Sequence, residues 1–399
     1  MDRPLIYLDC NATTPTSAAV QKAVLAAMQQ CGNASSAHTA GRAAADRIAQ
    51  ARSSVAALLG AADPEDVVFT SGATEANNLA IMGAIGGARA RGMVRPHVLA
   101  GAAEHSSVLA PLKRAHERGE IDFETIPVRD GGAVRVGCVE RRLRPDTILV
   151  ALQGANNEVG TINPIDRVAA LCRSRGVRFH ADLCQSFGRV LFNLATIDSA
   201  AMSAHKLYGP TGVGALYASP QAWEAIEPQT LGGGQEQGRR AGTINTHAIA
   251  GFGAACEEMS ARWLRGRHPE AHRLRYLRDV LLTRLQSGLG DRVRVNGAMD
   301  APCWDVGFPS KLRLPHNLNV TLVGVDSAGF HAAARERVCV SAGSACKALG
   351  GQRSHVLEAL GAPDDGAIMR VGLGSCNNEE QIEYAAKFLV ECAEKNVVK

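Results

Sequence analysis

Between residues 67 and 218 the sequence alternates short apolar runs with stretches of helical periodicity. This alternation restricts the fold more than any other feature. VVFTSG (67–72), HVLAGAAEHS (97–106), FETIPV (123–128), TILVALQG (147–154), VRFHAD (177–182), SAAMSAHK (199–206) and GVGALYA (212–218) read as strands. A helix starting near Thr74 and another in RVAALCRSRG fall between them. Strands apolar throughout must be covered on both faces, so the pattern predicts an α/β fold with a largely parallel sheet flanked by helices. Residues 17 to 60 read as one Ala-rich helix ending at Leu59-Gly60. Near residue 245 the pattern changes to a long helical region interrupted by Gly266 and Pro269, followed by RLRYLRDVLLTRLQSGLG. The last hundred residues mix short strands (HNLNVTLVG, VCVSAG) with helices such as EEQIEYAAKFLVECAEK, which predicts a second, smaller α+β domain.

Composition narrows the function classes. The formal charge is +4 on 43 Lys+Arg and 39 Asp+Glu, which asks for neither nucleic acid nor an anionic membrane as partner. No apolar run approaches the ~18 residues of a membrane span, and MDRPLIYLDC does not read as a signal peptide. A cytoplasmic enzyme is expected. The eleven cysteines are scattered without a CxxC, so no zinc knuckle or thioredoxin-type pair is predicted. Most should be free thiols, with Cys172 and Cys256 on apolar helix faces as buried structural examples. The arginines between 262 and 284 read as a solvated helix face.

In open α/β sheets, ligands sit at the carboxyl ends of strands. Several polar residues follow the strand candidates. Ser71-Gly72-Ala73-Thr74 opens a helix, a place for either a plain N-cap or a phosphate. Glu104-His105-Ser106, Asn156-Asn157-Glu158, Asp182 with Gln185, and Ser203 with His205 and Lys206 follow in turn. Each alone is most simply a cap or a satisfied core group; together they mark one sheet edge as a site. Lys206 lies in a small, apolar stretch where an ammonium is costly to bury. Such a lysine has a lowered pKa and serves as an amine nucleophile and base. A lysine, an aspartate and a phosphate cradle together suggest pyridoxal 5'-phosphate (PLP). Asp182 would face the ring nitrogen, Gln185 the ring hydroxyl and His105 the ring face, with Thr74, Ser203 and His205 at the phosphate.

The segments YLDCNATTP, GNASS, FTSGATEANN, AEHSSV, ANNEVGTINPI, HADLCQSFGR, SAHKLYGPTGVGALY, LGGGQEQGRRAGT, SAGSACK and MRVGLG run the length of the chain. In that order they resemble the group I cysteine desulfurases of the PLP fold-type I, class V aminotransferase family, close also to selenocysteine lyase. The resemblance implies a large PLP-binding domain over 16–258. It also implies a small domain from 1–15 and 259–399 carrying a catalytic-cysteine loop. It implies that Lys206 carries the cofactor and that Ala73, Thr74, His105, Asn157, Asp182, Gln185, Ser203 and His205 bind it. Thr243 would assist from a second subunit, so a homodimer with a shared site is implied. Arg370, Asn157 and Asn11 would bind the substrate, L-cysteine. Lys206, His105 and Cys346 would be catalytic: Lys206 and His105 shuttle protons, and the Cys346 thiolate takes the substrate sulfur. Alanine leaves, and the persulfide passes to a protein acceptor such as a cluster scaffold, a tRNA-thiolation protein, a DNA-modification system or a biosynthetic carrier. Lys347 would favour the Cys346 thiolate electrostatically.

The chain departs from the family pattern at Leu183 and Cys184, between Asp182 and Gln185, and at Ser375, Ala34 and Ala204. Leu183 is expected to reshape the wall beside the ring. Rival readings are selenocysteine lyase, a PLP aminotransferase with no use for Cys346, and a non-catalytic scaffold; the SAGSAC segment leans towards desulfurase.

Overall fold

The computed structural model describes residues 5–129, 131–263, 268–299, 312–342 and 353–398. Its centre is a seven-stranded sheet: β1 (Val67–Thr70), β2 (His97–Gly101), β3 (Asp122–Ile126), β4 (Thr147–Gln153), β5 (Arg178–Asp182), β6 (Ser199–Ser203) and β7 (Gly214–Ala218). The spatial order is β1-β7-β6-β5-β4-β2-β3. All pairings are parallel except those of β7, which runs antiparallel to both β1 and β6. The strands are therefore where the apolar runs placed them. Every residue of β1, β2, β6 and β7 is buried, as a sheet covered on both faces requires. Phe252, from the helix Thr246–Ala261, packs edge-on against Phe69 and Phe187 with ring centroids 6.4 and 6.3 Å away.

One element differs from the sequence reading. The stretch 17–60 holds two helices, Ala18–Met28 and Thr39–Leu59. The break is built by packing and local polar bonds. Gly32 lies so close to the Ala40 carbonyl that an added Cβ would be 2.3 Å from it. Asn33 Oδ1 accepts from the Ser35 N–H, and His38 Nδ1 caps the second helix by accepting from Gly41 N–H at 3.2 Å. The alanine-rich periodicity on both sides concealed this break.

A second layer contains β8 (Val293–Val295), β9 (Asn317–Val323) and β10 (Gly366–Gly372), an antiparallel sheet in the order β8-β9-β10. Its core joins Leu318, Val320, Leu322, Met369 and Val371 to Leu277, Leu281 and Leu285 of the helix Pro269–Leu289 and to Leu389 of the helix Glu379–Lys395. The N-terminal segment also belongs here: Ile6–Tyr7 pairs in parallel with Val338–Cys339, and Leu8 is fully buried. The arginines of this region are not one solvated face. Arg284 pairs with Glu383 in solvent, whereas Arg278 is fully buried and donates through Nε to Asp279 Oδ1 at 2.8 Å. The helix rotation that buries Leu274, Leu277 and Leu281 carries Arg278 inward with them. No described helix is long and apolar enough to cross a membrane.

The loop leading to Thr243 is tied to the sheet by a buried ion pair. Arg52 makes a bidentate contact with Glu236, both bonds at 2.7 Å, and Glu236 also accepts from the Phe69 N–H at 2.8 Å. Glu236 is held in the left-handed region (φ 48°), strain that its fixed side chain must offset. Replacing Glu236 with alanine strands the guanidinium beside Phe69 and is expected to cost about 3–5 kcal/mol of stability, read as a lowered urea midpoint.

Candidate active site

Lys206 follows β6 on a single 3-10 turn, Ala204–Lys206. The turn is set by what comes next: Tyr208 is buried with φ 63°, a conformation that bulky residues rarely adopt. Thr14 holds it there, accepting from the Tyr208 N–H at 2.7 Å and donating its hydroxyl to the His205 carbonyl at 2.8 Å. The Lys206 amine points into a cavity of about 480 Å³ at the carboxyl end of the central sheet. It donates to the Asn11 carbonyl at 2.7 Å and the Ala12 carbonyl at 2.5 Å. Burial lowers its pKa, and the positive charge of Arg370 adds to this. Lys206 therefore loses its proton more readily than a solvated lysine.

One end of the cavity is built for an anion. Ala73 and Thr74 open the helix Ala73–Ala90; its N-cap is Gly72, and no side chain caps it. The N-cap alternative for Ser71 or Thr74 is thus not what the structure forms, and the first N–H groups of an 18-residue helix face the cavity region unclaimed by a cap. Ser203 and His205 line the same cavity. His205 is held neutral: burial first, then Lys206, lower its pKa to about 4. Glu75 in the first turn is paired with Arg240 at 2.6 Å, which offsets its charge.

At the centre, Asp182 ends β5 and is buried. Its Oδ1 accepts from Cys184 N–H and its Oδ2 from Asn77 Nδ2, both at 2.9 Å. Asn77 organises more than this one contact. Its Oδ1 faces His180 Nε2 at 2.9 Å, and its Nδ2 also donates to Ser107 Oγ at 2.8 Å. Ser107 in turn meets His105 Nδ1, through its hydroxyl at 2.8 Å and its N–H at 3.1 Å. Because His105 Nδ1 accepts that N–H, a proton on the neutral ring sits on Nε2. The same chain fixes His180, whose Nδ1 faces Ser199 Oγ at 2.9 Å. Asn77, Ser107 and His180 did not figure in the sequence reading. A histidine inside the apolar run VRFHAD was the available signal, since a polar side chain there needs buried partners.

Around Asn11, several buried polar atoms have no partner among the described residues. Gln185 donates through Nε2 to the Asn11 carbonyl at 3.1 Å, while its Oε1 is buried without a partner. Asn11 donates to the Val371 carbonyl at 3.1 Å, and its Oδ1 is also buried and unpaired. Arg370, on β10, pairs with Asp9 at 3.0 Å and reaches the Asn157 carbonyl at 3.4 Å, leaving Nε buried and without a partner among the described residues. Asn157 lines the cavity. Thr243 is exposed and does not line the cavity of its own chain. Cys346 and Lys347 lie outside the described residues. Leu183 does not reshape the cavity wall; it is buried in the core beneath the sheet edge. Cys184 does line the cavity, but burial and Asp182 push its thiol up to about 12, which keeps it protonated.

These features fit PLP. A carboxylate faces the cavity, an uncapped helix N-terminus meets it, and a buried amide oxygen awaits a hydroxyl donor beside a desolvated lysine. The fold and site define a PLP-dependent enzyme of fold-type I. The aminotransferase class-V family model matches residues 6–385. A cysteine desulfurase from Frankia sp. is 41% identical over 398 residues, covering 96% of this chain and 90% of the relative. The cysteine desulfurase IscS of Pseudomonas syringae pv. tomato is 38% identical, covering 97% and 92%. A solved NifS-like protein superposes with a TM-score of 0.85 at 29% identity, covering 98% and 100%. The chain belongs to the aminotransferase class-V family.

The buried histidine makes stability acid-sensitive. Burial lowers His180 from its ordinary 6.5 to about 3, so below pH 6.5 the unfolded chain takes a proton that the folded chain refuses. Stability should fall as pH drops from there. Between about pH 7.5 and about pH 5 the loss from His180 is roughly 2 kcal/mol, read from urea midpoints, with a flatter profile in His180→Asn.

Proposed function

We propose that this chain is a PLP-dependent cysteine desulfurase that converts L-cysteine to L-alanine and moves the sulfur onto Cys346. The observation that carries the reading is the desolvated Lys206 amine, which shares one cavity with Asp182 and feels the positive charge of Arg370. When bound, PLP supplies an electron sink that eases loss of the substrate α-proton. The protein's residues do the rest. Asp182, fixed by Asn77, would face the ring nitrogen, and Gln185 Oε1 would accept from the ring hydroxyl. Ala73, Thr74, Ser203 and His205, which line the same cavity, would hold the phosphate. Arg370 forks the substrate carboxylate, with Asn157 and Asn11 beside it. Lys206 accepts and returns protons at the substrate carbons, with His105 oriented by Ser107.

At sulfur, the Cys346 thiolate forms an S–S bond to the substrate Sγ as the Cβ–S bond breaks. A thiol and cysteine yield a persulfide and alanine, so no outside oxidant is required. The persulfide then passes to a protein acceptor. A cytoplasmic homodimer completes the reading, with the exposed Thr243 lent to the phosphate of a second copy. Selenocysteine lyase is not favoured, since the curated relatives are named cysteine desulfurases.

The test is a visible spectrum of the purified protein with an alanine assay. Wild type should show a cofactor band and form alanine from L-cysteine. Lys206→Ala should lose both, and Cys346→Ala should keep the band and lose alanine formation. Alanine formed at the wild-type rate by Cys346→Ala would overturn the sulfur path. Arg370→Ala should raise KM for L-cysteine by about 10- to 100-fold, the loss of one charged hydrogen-bonding partner.

A further inference from the structure

Arg189 is a buried guanidinium that the proposed chemistry leaves unused. It lies on the loop after β5, and its two terminal nitrogens fork onto the backbones of two site residues. Nη2 donates to the Lys206 carbonyl at 2.7 Å and Nη1 to the Gln185 carbonyl at 3.4 Å. Thr14 already holds the His205 carbonyl and the Tyr208 N–H, so the fork completes the clamp on the turn that carries the amine. The loop is itself braced. Arg189 N–H bonds the Ser186 carbonyl at 2.9 Å, and the Gly188 carbonyl accepts from Trp263 Nε1 at 2.9 Å. Gly188 has a φ of 70°, and an added Cβ there would lie 2.7 Å from Met259 Cγ, so this approach needs glycine.

Charge is the second feature. No carboxylate among the described residues pairs with Arg189. Glu270 lines the small cavity behind it, but Arg273 takes that carboxylate in a bidentate contact at 2.8 and 2.7 Å. Arg262, His268 and His316 line the same cavity and offer no counter-charge. The two carbonyls solvate the guanidinium without neutralising it. Around Lys206 itself the other charges are partnered. Arg370 pairs with Asp9 and Glu75 with Arg240. Asp182 is held by Asn77 and the Cys184 N–H, His205 is neutral, and Cys184 is protonated. His105 bonds Ser107. Burial lowers Lys206 first, Arg370 and Arg189 lower it further, and Cys184 and Asp9 oppose them.

We propose that Arg189 is a positioning residue for Lys206: its fork fixes the Lys206 turn against the Gln185 loop, and its unpaired charge disfavours a second cation at the amine. A buried cation without a counter-charge is costly to a fold. Here it stands where a neutral amine is needed. Without the charge, the ammonium persists to higher pH. Without the fork, the turn is free to shift and the amine is misplaced. The consequence for turnover rests on the desulfurase reading; the effect on the amine does not.

The first measurement uses the full-length chain freed of cofactor. Acetylation of Lys206 by acetic anhydride is followed by peptide mass spectrometry across a pH series. In Arg189→Met the Lys206 midpoint should rise by about 0.5–1 pH unit, and labelling at about pH 7.5 should fall about 3- to 10-fold. Arg189→Lys keeps the charge and should label like wild type. The second measurement is alanine formation from L-cysteine by the holoenzyme. Both variants should lose about tenfold in kcat, since neither side chain has the planar fork. An unchanged midpoint in Arg189→Met, an equal rise in Arg189→Lys, or wild-type turnover in either variant would overturn the proposal. Should Arg189→Met not fold, Arg189→Gln also removes the charge and decides the same point. A midpoint that moves as expected in a protein whose wild type forms no alanine overturns the desulfurase reading instead.

Discussion

The site depends on holding one ammonium at the seam between two hydrophobic cores. Lys206 grows from the turn after β6, in the large sheet's core. The two carbonyls it donates to belong to Asn11 and Ala12, whose neighbours Ile6 and Leu8 are buried in the second core. Both cores must form before the amine finds its partners. Uncharged carbonyls satisfy its hydrogens without a full counter-charge, so burial still favours the neutral form. That combination makes lysine both ordered and reactive. The curated relatives and the class-V family model support a PLP-dependent cysteine desulfurase, and this lysine is the group that such chemistry needs first.

A second constraint is the polar chain beneath the site. Asn77, on the helix Ala73–Ala90, bridges Asp182 and His180 of β5 to Ser107 on the helix Ser106–Glu117. Each would be costly to bury alone. Joined, each donor meets an acceptor, and the chain orients Asp182 and His105 at once. The amide is suited to this position because it presents a donor group and an acceptor to different neighbours, whereas a carboxylate presents acceptors alone. Two functional side chains thus share one anchor.

Much of this was legible in the sequence because its signals are local. Wholly apolar runs are a direct consequence of two-sided burial, so the seven sheet strands could be read within a few residues. The polar residues after those runs marked the sheet edge because strand ends and loops share one side in such a fold. The helix break at 29–38 was not legible, since Gly32 is required by a contact with Ala40, not by its own periodicity. The same holds for Arg278, which the residues around it bury although its own polarity argues for solvent.

The sequence by itself determined the layered α/β architecture and the family, and it singled out the lysine and aspartate proposed to carry the chemistry. These rest on residue type and spacing along one strand or turn. Tertiary structure decided what those residues touch. It set which carbonyls hold Lys206, that Asn77 and Ser107 join Asp182 to His105, and that Leu183 points into the core while Cys184 lines the cavity. Several of these contacts join residues a hundred or more positions apart, as Lys206 with Asn11 and Asn77 with Asp182. They exist because two independently packed cores bring their edges together, and no local pattern encodes how two surfaces meet.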